Sequence, residues 1–180
     1  NLLKFLTVIN KKWVLFVNKL LRYINIIINP YKHYYQMSKN IGIACDHAGF
    51  DYKESVISHL KSKGYTVTDY GCFSTDSVDY PDFAHQLAQS IEDGSNELGI
   101  QFCGSGNGIN MSVNKHQSIR SALCWEVEIA ELARLHNDAN ICTMPARFIS
   151  LEKVLSIIDV FLSTDFEGGR HQRRVDKISC

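Results

Sequence analysis

The sequence predicts a doubly wound α/β domain, a Rossmann-like three-layer sandwich with a mostly parallel sheet of about five strands. Short apolar runs of strand length alternate with longer stretches whose apolar residues recur at helical spacing, and glycine or proline stands at the junctions. The chain of 180 residues, with 45% hydrophobic and 21% charged residues, suits one globular domain. Strands that recur after helices imply parallel βαβ units with right-handed crossovers.

The first half of this domain alternates between strands and helices. Val56, Ile57 and Leu60 lie on one face of the first predicted helix. Gly64 ends that helix, and Pro81 suits the first turn of the next one. In chain order the elements are strand "NIGIAC" (40–45), helix "FDYKESVISHLKSKG" (50–64), strand "YTVTDYG" (65–71) and helix "PDFAHQLAQSIEDG" (81–94).

The second half continues the alternation. Ligands of such sheets lie outside the carboxyl ends of the strands, where the strand order switches. We therefore expect Asp46-His47 after the first strand, Cys103 after the third and Arg147 after the fifth to share one rim. The predicted elements are strand "ELGIQFC" (97–103), a helix near Asn107–Asn114, "IRSALC" (119–124), helix "EVEIAELARLH" (126–136), strand "NICTM" (140–144) and helix "SLEKVLSIIDVFLS" (150–163).

Residues 1–36 are expected to form a leader that stands apart from a domain of residues 37–180. The leader carries a net charge of +6 and no acid, which leaves −6 on the remainder, and its basic residues interrupt every apolar stretch well before membrane-spanning length. Three interpretations stay open: mistranslated upstream sequence, a targeting or membrane-surface segment, or a helical addition to the fold. The acidic body argues against a nucleic-acid partner, which needs a basic face.

The cysteines predict neither a disulfide framework nor a metal site. They lie at scattered positions without a CxxC pair, and no Cys/His spacing matches a zinc site. Most of them fall inside apolar runs, where a free cysteine packs as a small hydrophobe. A reducing cytoplasm is the simplest location for such a chain. The six are Cys45, Cys72, Cys103, Cys124, Cys142 and Cys180.

A glycine-rich loop follows the third predicted strand in "FCGSGNGINM" (102–111). Glycines let backbone N–H groups approach an anion closely, but the pattern is neither G-x-G-x-x-G nor a P-loop, so a structural turn stays an alternative. Cys103 directly before the loop favours chemistry, because neighbouring N–H groups favour a thiolate that acts as base or nucleophile. A buried inert thiol is the alternative for Cys103. The loop itself is Gly104, Ser105, Gly106, Asn107 and Gly108, whose serine could hydrogen-bond the sulfur.

Two other motifs carry polar groups suited to catalysis or to anion binding. "RLHNDAN" (134–140) ends a helix with His136, a potential acid or base, and Asn137, a potential oxyanion donor, although both also suit a helix cap. In "EGGRHQRRVDKI" (167–178), Arg170 and Arg174 are four residues apart. On a helix that spacing places both guanidinium groups on one face, as a phosphate clamp or as a solvated basic face.

Taken together, five segments in this order resemble the type B ribose-5-phosphate isomerase family, which includes relatives acting on galactose 6-phosphate and allose 6-phosphate. The resemblance covers about Asn40 to Ile178 and leaves the leader without a counterpart. It implies aldose–ketose isomerisation of a sugar phosphate without metal or organic cofactor. The segments are "GIACDHAGF", "SVDYPDFA", "CGSGNGI", "ARLHNDAN" and "EGGRHQRRV".

The resemblance also implies a role for each candidate residue. Cys103 is the implied base that moves a proton between C1 and C2, assisted by Ser105, while the amides of Gly104 to Gly108 stabilise the enediolate. Asp46 and His136 are implied to open the furanose ring. The remaining implied substrate contacts are Asn137 on an open-chain oxygen, His47, Arg147, Arg170 and Arg174 around the phosphate, and Tyr80 in the sugar pocket.

The family forms its sites between subunits, so the resemblance implies a homodimer or a dimer of dimers. One departure is Pro145 in "CTMPAR", where the family commonly has glycine two residues before Arg147, so the path to Arg147 is expected to differ. We expect ribose 5-phosphate and ribulose 5-phosphate as substrates. The alternatives are a hexose 6-phosphate isomerase or a non-catalytic phosphosugar-binding regulator, whereas the loop lacks the fingerprint of a dinucleotide oxidoreductase.

Overall fold

The computed structural model describes residues 39–178 and shows five parallel strands in the order β2-β1-β3-β5-β4. The predicted leader of residues 1–36 and Cys180 lie outside the described residues. The predicted strands are confirmed, with ends that differ by a few residues. They are β1 (Asn40–Cys45), β2 (Thr66–Asp69), β3 (Leu98–Cys103), β4 (Ser121–Leu123) and β5 (Ile141–Pro145).

Helices cover both faces of the sheet. α2 and α3 pack together on one face, and α1, α4 and α5 pack on the other, so the predicted three-layer sandwich is confirmed. None of the helices within residues 39–178 has the length and hydropathy needed to cross a membrane. The helices are α1 (Phe50–Ser62), α2 (Tyr80–Glu92), α3 (Asn107–Val113), α4 (Val127–Asn137), α5 (Leu151–Ser163) and α6 (Gln172–Val175).

The strand order switches twice. The chain passes from β1 to the edge strand β2 and then returns to place β3 on the other side of β1. It next reaches the opposite edge with β4 and returns to insert β5 between β4 and β3. The three central strands are β1, β3 and β5. Because all neighbouring pairs are parallel, these strands end at one rim.

The central strand β3 is buried along its whole length, as expected for a strand covered on both faces. Its side chains alternate between two cores. Ile100 and Phe102 face α1, α4 and α5, with Val56 of α1 and Phe161 of α5 in the same cluster. Cys103 belongs to the smaller cluster beneath α2 and α3. Cys103, the last residue of β3, therefore packs on the sheet face that is covered by α3, the helix that follows the glycine loop.

An ion-pair cluster joins α1 to α5 on the larger core's outer side. Asp159 of α5 accepts hydrogen bonds from His59 Nε2 at 2.8 Å and lies 2.6 Å from Lys63 Nζ. Partial burial opposes ionisation of Asp159, but the contacts from Lys63 and His59 outweigh it and hold the pKa of this carboxyl below 3.8, its ordinary value.

We predict that Asp159→Asn lowers the free energy of unfolding by about 0.5–1 kcal/mol at pH 7, since the pair is partly exposed. The lowered pKa of Asp159 means that its contribution is present above the unfolded-state value of 3.8 and is lost as the pH falls through the folded-state pKa. The free energies of unfolding of the wild-type protein and of Asp159→Asn, measured in urea, should therefore become equal in acid. The exposed Glu131→Gln serves as a charge-matched control, and a difference that persists below both pKa values contradicts the prediction.

Candidate active site

The carboxyl ends of the three central strands bring the predicted groups together. Asp46 and His47 follow β1, Cys103 is the last residue of β3, and Arg147 follows β5 by two residues. In the register, Cys103 pairs with Pro145, so the strands β3 and β5 end side by side. The expectation that these side chains share one rim is confirmed by the strand order.

Asp46 and His47 are held by main-chain donors at the end of β1. Asp46 is 7% exposed, and its Oδ1 accepts the Ala48 N–H at 2.9 Å as the cap of a 3-10 turn over His47–Gly49. The Val78 N–H donates to His47 Nδ1 at 3.3 Å. An accepting Nδ1 leaves Nε2 of a neutral His47 with the proton, so this ring presents a donor away from Val78.

Cys103 differs from its neighbouring cysteines in the direction of its hydrogen bond. The Gly106 N–H donates to Cys103 Sγ at 3.1 Å, a contact that a thiolate accepts as well as a thiol does. Cys72 Sγ and Cys124 Sγ instead donate to main-chain carbonyl oxygens, at 3.3 and 3.6 Å, which requires the protonated form. Among the cysteines of residues 39–178, Cys103 is therefore the one whose contacts suit a base.

Two other cysteines are held as thiols by their surroundings. Burial, followed by the adjacent Cys72, raises the pKa of Cys45 well above its ordinary value, and the two sulfurs lie 3.7 Å apart. Burial and the neighbouring Cys124 also raise the pKa of Cys142. Such thiols pack as hydrophobes and do not serve as bases near neutral pH.

The glycine loop lies so close to its neighbours that side chains would not fit at two positions. Gly106 has φ +75° and packs on Leu123 and on the Met144–Pro145 peptide. A Cβ on Gly108 would lie 2.7 Å from the Tyr80 hydroxyl, which places Tyr80 against the loop. The Ser105 hydroxyl accepts the Asn107 N–H at 3.4 Å, while the hydrogen bond to the sulfur comes from the Gly106 amide.

Arg147 reaches the glycine loop from β5. Its N–H donates to the Gly104 carbonyl at 3.1 Å, and its side chain lies 3.3–3.4 Å from the position of a Cβ on Gly104. Ala146 N–H donates to the Cys103 carbonyl at 3.0 Å. Donors alternate along a strand, so the nitrogen of Pro145 faces the side where β4 has already ended. Proline is accommodated there without the loss of a bond to β3.

A buried lysine supports this rim, and sequence reasoning missed it. Lys53 is fully buried in α1, and its Nζ donates to Asp69 Oδ2 and to the Cys72 carbonyl, both at 2.6 Å. Cys72 lies in the loop that follows β2. This loop is also bonded to the end of β1, because the Cys45 N–H, directly before Asp46, donates to the Gly71 carbonyl at 2.6 Å. The available signal was helical spacing, since Lys53 falls on the apolar face of α1.

The other four predicted residues lie at the opposite rim. α4 runs from the carboxyl end of β4 to the amino end of β5, so His136 and Asn137, which end α4, are roughly one strand length, about 17 Å, from Cys103. Arg170 and Arg174 lie near them, because the Glu167 N–H bonds to α4. α6 begins after Arg170, so the two arginines do not share the single helical face considered from their spacing.

At that rim His136 belongs to a cluster that the sequence did not indicate. The rings of His136 and His171 stack with centroids 4.1 Å apart, and Glu167 Oε2 lies 3.7 Å from His136 Nε2 and 3.8 Å from His171 Nε2. Arg170 Nε donates to His171 Nε2 at 3.2 Å. Burial, then the charges of His136 and Arg170, lower the pKa of His171, which favours its neutral form.

A cavity of about 540 Å³ adjoins the glycine loop on its β4 side. Two of its lining residues, Ser105 and Asn107, belong to the glycine loop, whereas Cys103 and Asp46 do not line it. Its lining is Ser105, Asn107, Leu123, Trp125, Glu126, Pro145, Phe148, Ile149, Ser150 and Lys153.

The packing of the loop gives a testable prediction. We expect Gly106→Ala to lower the free energy of unfolding by about 2–4 kcal/mol, because it combines a left-handed φ with overlap against Leu123. Gly94 is a matched control, since it has φ +78° in open space, and Gly94→Ala should cost only about 1 kcal/mol. Equal losses in urea unfolding of the two variants contradict the proposed overlap.

Comparisons with known proteins agree with this architecture. A family model described as Ribose/Galactose Isomerase matches residues 41–178. The chain is 40% identical over 142 residues to ribose-5-phosphate isomerase B of Escherichia coli, covering 79% of this chain and 95% of that protein. A ribose 5-phosphate isomerase structure from Thermotoga maritima has 48% identity and a TM-score of 0.77, covering 78% of this chain and 97% of that one. Ribose-5-phosphate isomerase B of Mycoplasma genitalium, with bound ribulose-5-phosphate, has 43% identity and a TM-score of 0.77, with coverage of 79% and 95%. The sequence resemblance is confirmed, and the chain belongs to the ribose/galactose isomerase family.

Proposed function

We propose that this chain is an aldose–ketose isomerase that interconverts ribose 5-phosphate and ribulose 5-phosphate through an enediolate, with Cys103 as the base. The observation that carries the proposal is the Gly106 N–H at 3.1 Å from Cys103 Sγ, on a rim that also holds Asp46 and Arg147. The relatives named for this reaction and the ribulose-5-phosphate bound in one of them support the choice of substrate.

The proposed proton transfer uses the sulfur and the glycine loop together. The Cys103 thiolate takes the proton from C2 of the open-chain aldose, the C–H electrons form the C1–C2 double bond, and the negative charge moves to the C1 oxygen. Amides of the loop stabilise that charge, as preorganised N–H donors do in other enolising sites. Return of the proton to C1, with proton transfer between the two oxygens assisted by Ser105, gives the ketose and restores the thiolate.

Ring opening precedes this step because ribose 5-phosphate is mainly a closed furanose. Asp46 and His136 are the proposed pair: one takes the proton from the C1 hydroxyl as the other protonates the ring oxygen. The buried carboxyl of Asp46 has one oxygen fixed by the Ala48 N–H, which leaves the second oxygen for the sugar. His136 remains about one-third exposed and is accessible to a ligand.

The phosphate is assigned to the cationic groups near both rims. His47 offers an N–H from Nε2, and Arg147 lies against the start of the glycine loop. Arg170 and Arg174 supply two further guanidinium groups, while Tyr80 lines the sugar pocket beside Gly108. Binding energy from the phosphate, remote from C1 and C2, then serves to position the reacting carbons.

We infer that the working enzyme contains at least two copies of the chain. A site that needs Cys103 and Asp46 together with His136 and Asn137 is incomplete within one chain, because the two pairs lie at opposite rims of the sheet. A two-fold pair of chains solves this by placing one copy's His136 rim against the other's Cys103 rim, which gives two shared sites. A homodimer or a dimer of dimers satisfies this requirement.

The proposed catalytic unit is residues 37–180, with no role in the reaction for residues 1–36. A cysteine base also requires a compartment that keeps its thiol reduced, such as the cytoplasm, and the five described cysteines are free thiols. The second candidate activity is isomerisation of a hexose 6-phosphate, favoured by the family description that includes galactose isomerase.

We predict that Cys103→Ala lowers kcat for ribulose 5-phosphate formation by about 10³-fold or more while the fold persists, since the base is lost. Cys142→Ala is the matched control, because it removes a buried thiol of β5 that no step uses. Parallel assays with allose 6-phosphate and galactose 6-phosphate establish substrate length. Full activity of Cys103→Ala overturns the mechanism.

A mixing experiment tests the shared site. Cys103→Ala and His136→Asn should each be inactive alone, but mixed dimers carry one intact site, so an equal mixture should regain about a quarter of wild-type activity. Cys103→Ala mixed with Asp46→Asn should stay inactive, because Cys103 and Asp46 of any one site come from the same chain, so every site lacks one of them. If activity recovers in neither mixture, the two-chain site is contradicted.

A further inference from the structure

We propose that His136, Glu167 and His171 form a binding site for Zn²⁺, and that an ion bound there blocks turnover at the proposed isomerase site. The three side chains come from the end of α4, the segment after α5 and the residue before α6, and their donor atoms lie within 4.8 Å of one another. The inhibitory part of this inference rests on the proposed function, whereas the binding part does not.

The distances are close to those of a tetrahedral ion. Ligand bonds of about 2.0–2.1 Å at tetrahedral angles separate neighbouring donor atoms by about 3.4 Å. Glu167 Oε2 lies 3.7 and 3.8 Å from the Nε2 atoms of His136 and His171, so these two donor pairs need to contract by less than half an ångström. The donor nitrogens of the two histidines lie within 4.8 Å of each other. The stacked imidazole rings must also tilt toward each other, and His136, which is 35% exposed at its side chain, has room to do so.

The donor set selects the class of metal. Two imidazole nitrogens and one carboxylate oxygen, with a fourth position left for water, match zinc sites of open coordination. Mg²⁺ and Ca²⁺ prefer sets made of oxygen alone. We therefore expect Zn²⁺ and Co²⁺ to bind and Mg²⁺ not to compete.

The lone pair of His171 that would bind a metal already contacts a positively charged group, the guanidinium of Arg170. Arg170 Nε donates to His171 Nε2 at 3.2 Å, so His171 Nε2 accepts and its ring proton lies on Nδ1. A metal ion would replace the Arg170 N–H at this nitrogen, and the Glu167 carboxylate offsets part of the repulsion from the arginine.

Occupation of this site conflicts with the proposed chemistry at two points. The ion consumes the His136 nitrogen assigned to ring opening and displaces Arg170, which is assigned to the phosphate. Zinc and sugar phosphate should therefore compete, and each should weaken the affinity for the other by the same factor.

The chain contains a second His–His–Glu group that serves as an internal control. His116 Nδ1 bonds Glu92 Oε2 at 2.9 Å, and His116 Nε2 bonds His85 Nδ1 at 2.9 Å. These three residues are joined in series through the two nitrogens of His116, so their donor atoms do not meet at one point. Among the described residues, the cluster of His136, Glu167 and His171 is the set whose donor atoms all lie within 4.8 Å of one another.

The first test measures metal binding by the full chain without reference to activity. Titration with Zn²⁺ alone in a calorimeter, and with Co²⁺ alone by visible absorption, should show a site with the intense bands of tetrahedral cobalt. Glu167→Gln and His171→Gln should each weaken binding at least about tenfold, whereas His116→Gln should not. Glu167 is exposed, so Glu167→Gln decides the question even where His171→Gln fails to fold.

The second test measures inhibition. Zn²⁺ should inhibit wild-type isomerase competitively with ribose 5-phosphate, and a chelator should restore the activity. The proposed metal site is overturned, whatever the enzyme's activity, if the wild-type protein binds no Zn²⁺ or if Glu167→Gln binds Zn²⁺ with unchanged affinity. Tight binding without inhibition overturns the regulatory part, and an inactive wild-type protein overturns the proposed function while the binding result still stands.

Discussion

Parallel pairing of β1, β3 and β5 holds the candidate site together, because each of these strands delivers one of its polar groups to the same rim. The register places Cys103 beside Pro145, and main-chain bonds from Ala146 and Arg147 continue the pairing into the glycine loop. On the other side, Cys45 bonds to the loop that buried Lys53 supports. The loops at this rim are therefore extensions of the sheet's hydrogen bonding, which limits their freedom before any ligand arrives.

The direction of hydrogen bonding separates Cys103 from Cys72 and Cys124. A sulfur that receives an N–H tolerates negative charge, whereas a sulfur that donates to a carbonyl must keep its proton. Cys103 is of the first kind, and Cys72 and Cys124 are of the second. Burial alone does not make this distinction, since Cys103 is itself only 4% exposed.

The sheet that brings Asp46, Cys103 and Arg147 to one rim also keeps the other proposed site residues away from them. Because α4 returns the chain to the amino end of β5, His136 is carried to the rim opposite Cys103. No side chain spans a strand length, so the proposed reaction requires a second copy. The same geometry leaves His136 beside Glu167 and His171, where imidazoles and a carboxylate meet in an accessible position suited to an inhibitory ion.

The sequence by itself determined the elements and the groups that follow them. Apolar runs and helical spacing predicted five strands in order, and glycine or proline marked most of their ends, because local periodicity reports which residues face a core. The motifs around Asp46, Cys103 and Arg147 were likewise readable from the chain. Strand order was not readable, since hydrophobic strands of similar length carry no signal for their neighbours. Only the tertiary structure therefore decided that β5 lies between β3 and β4, that Lys53 is buried under the rim, and that Glu167 and His171 converge on His136. These are contacts between distant segments, and their energies depend on packing that no local pattern encodes.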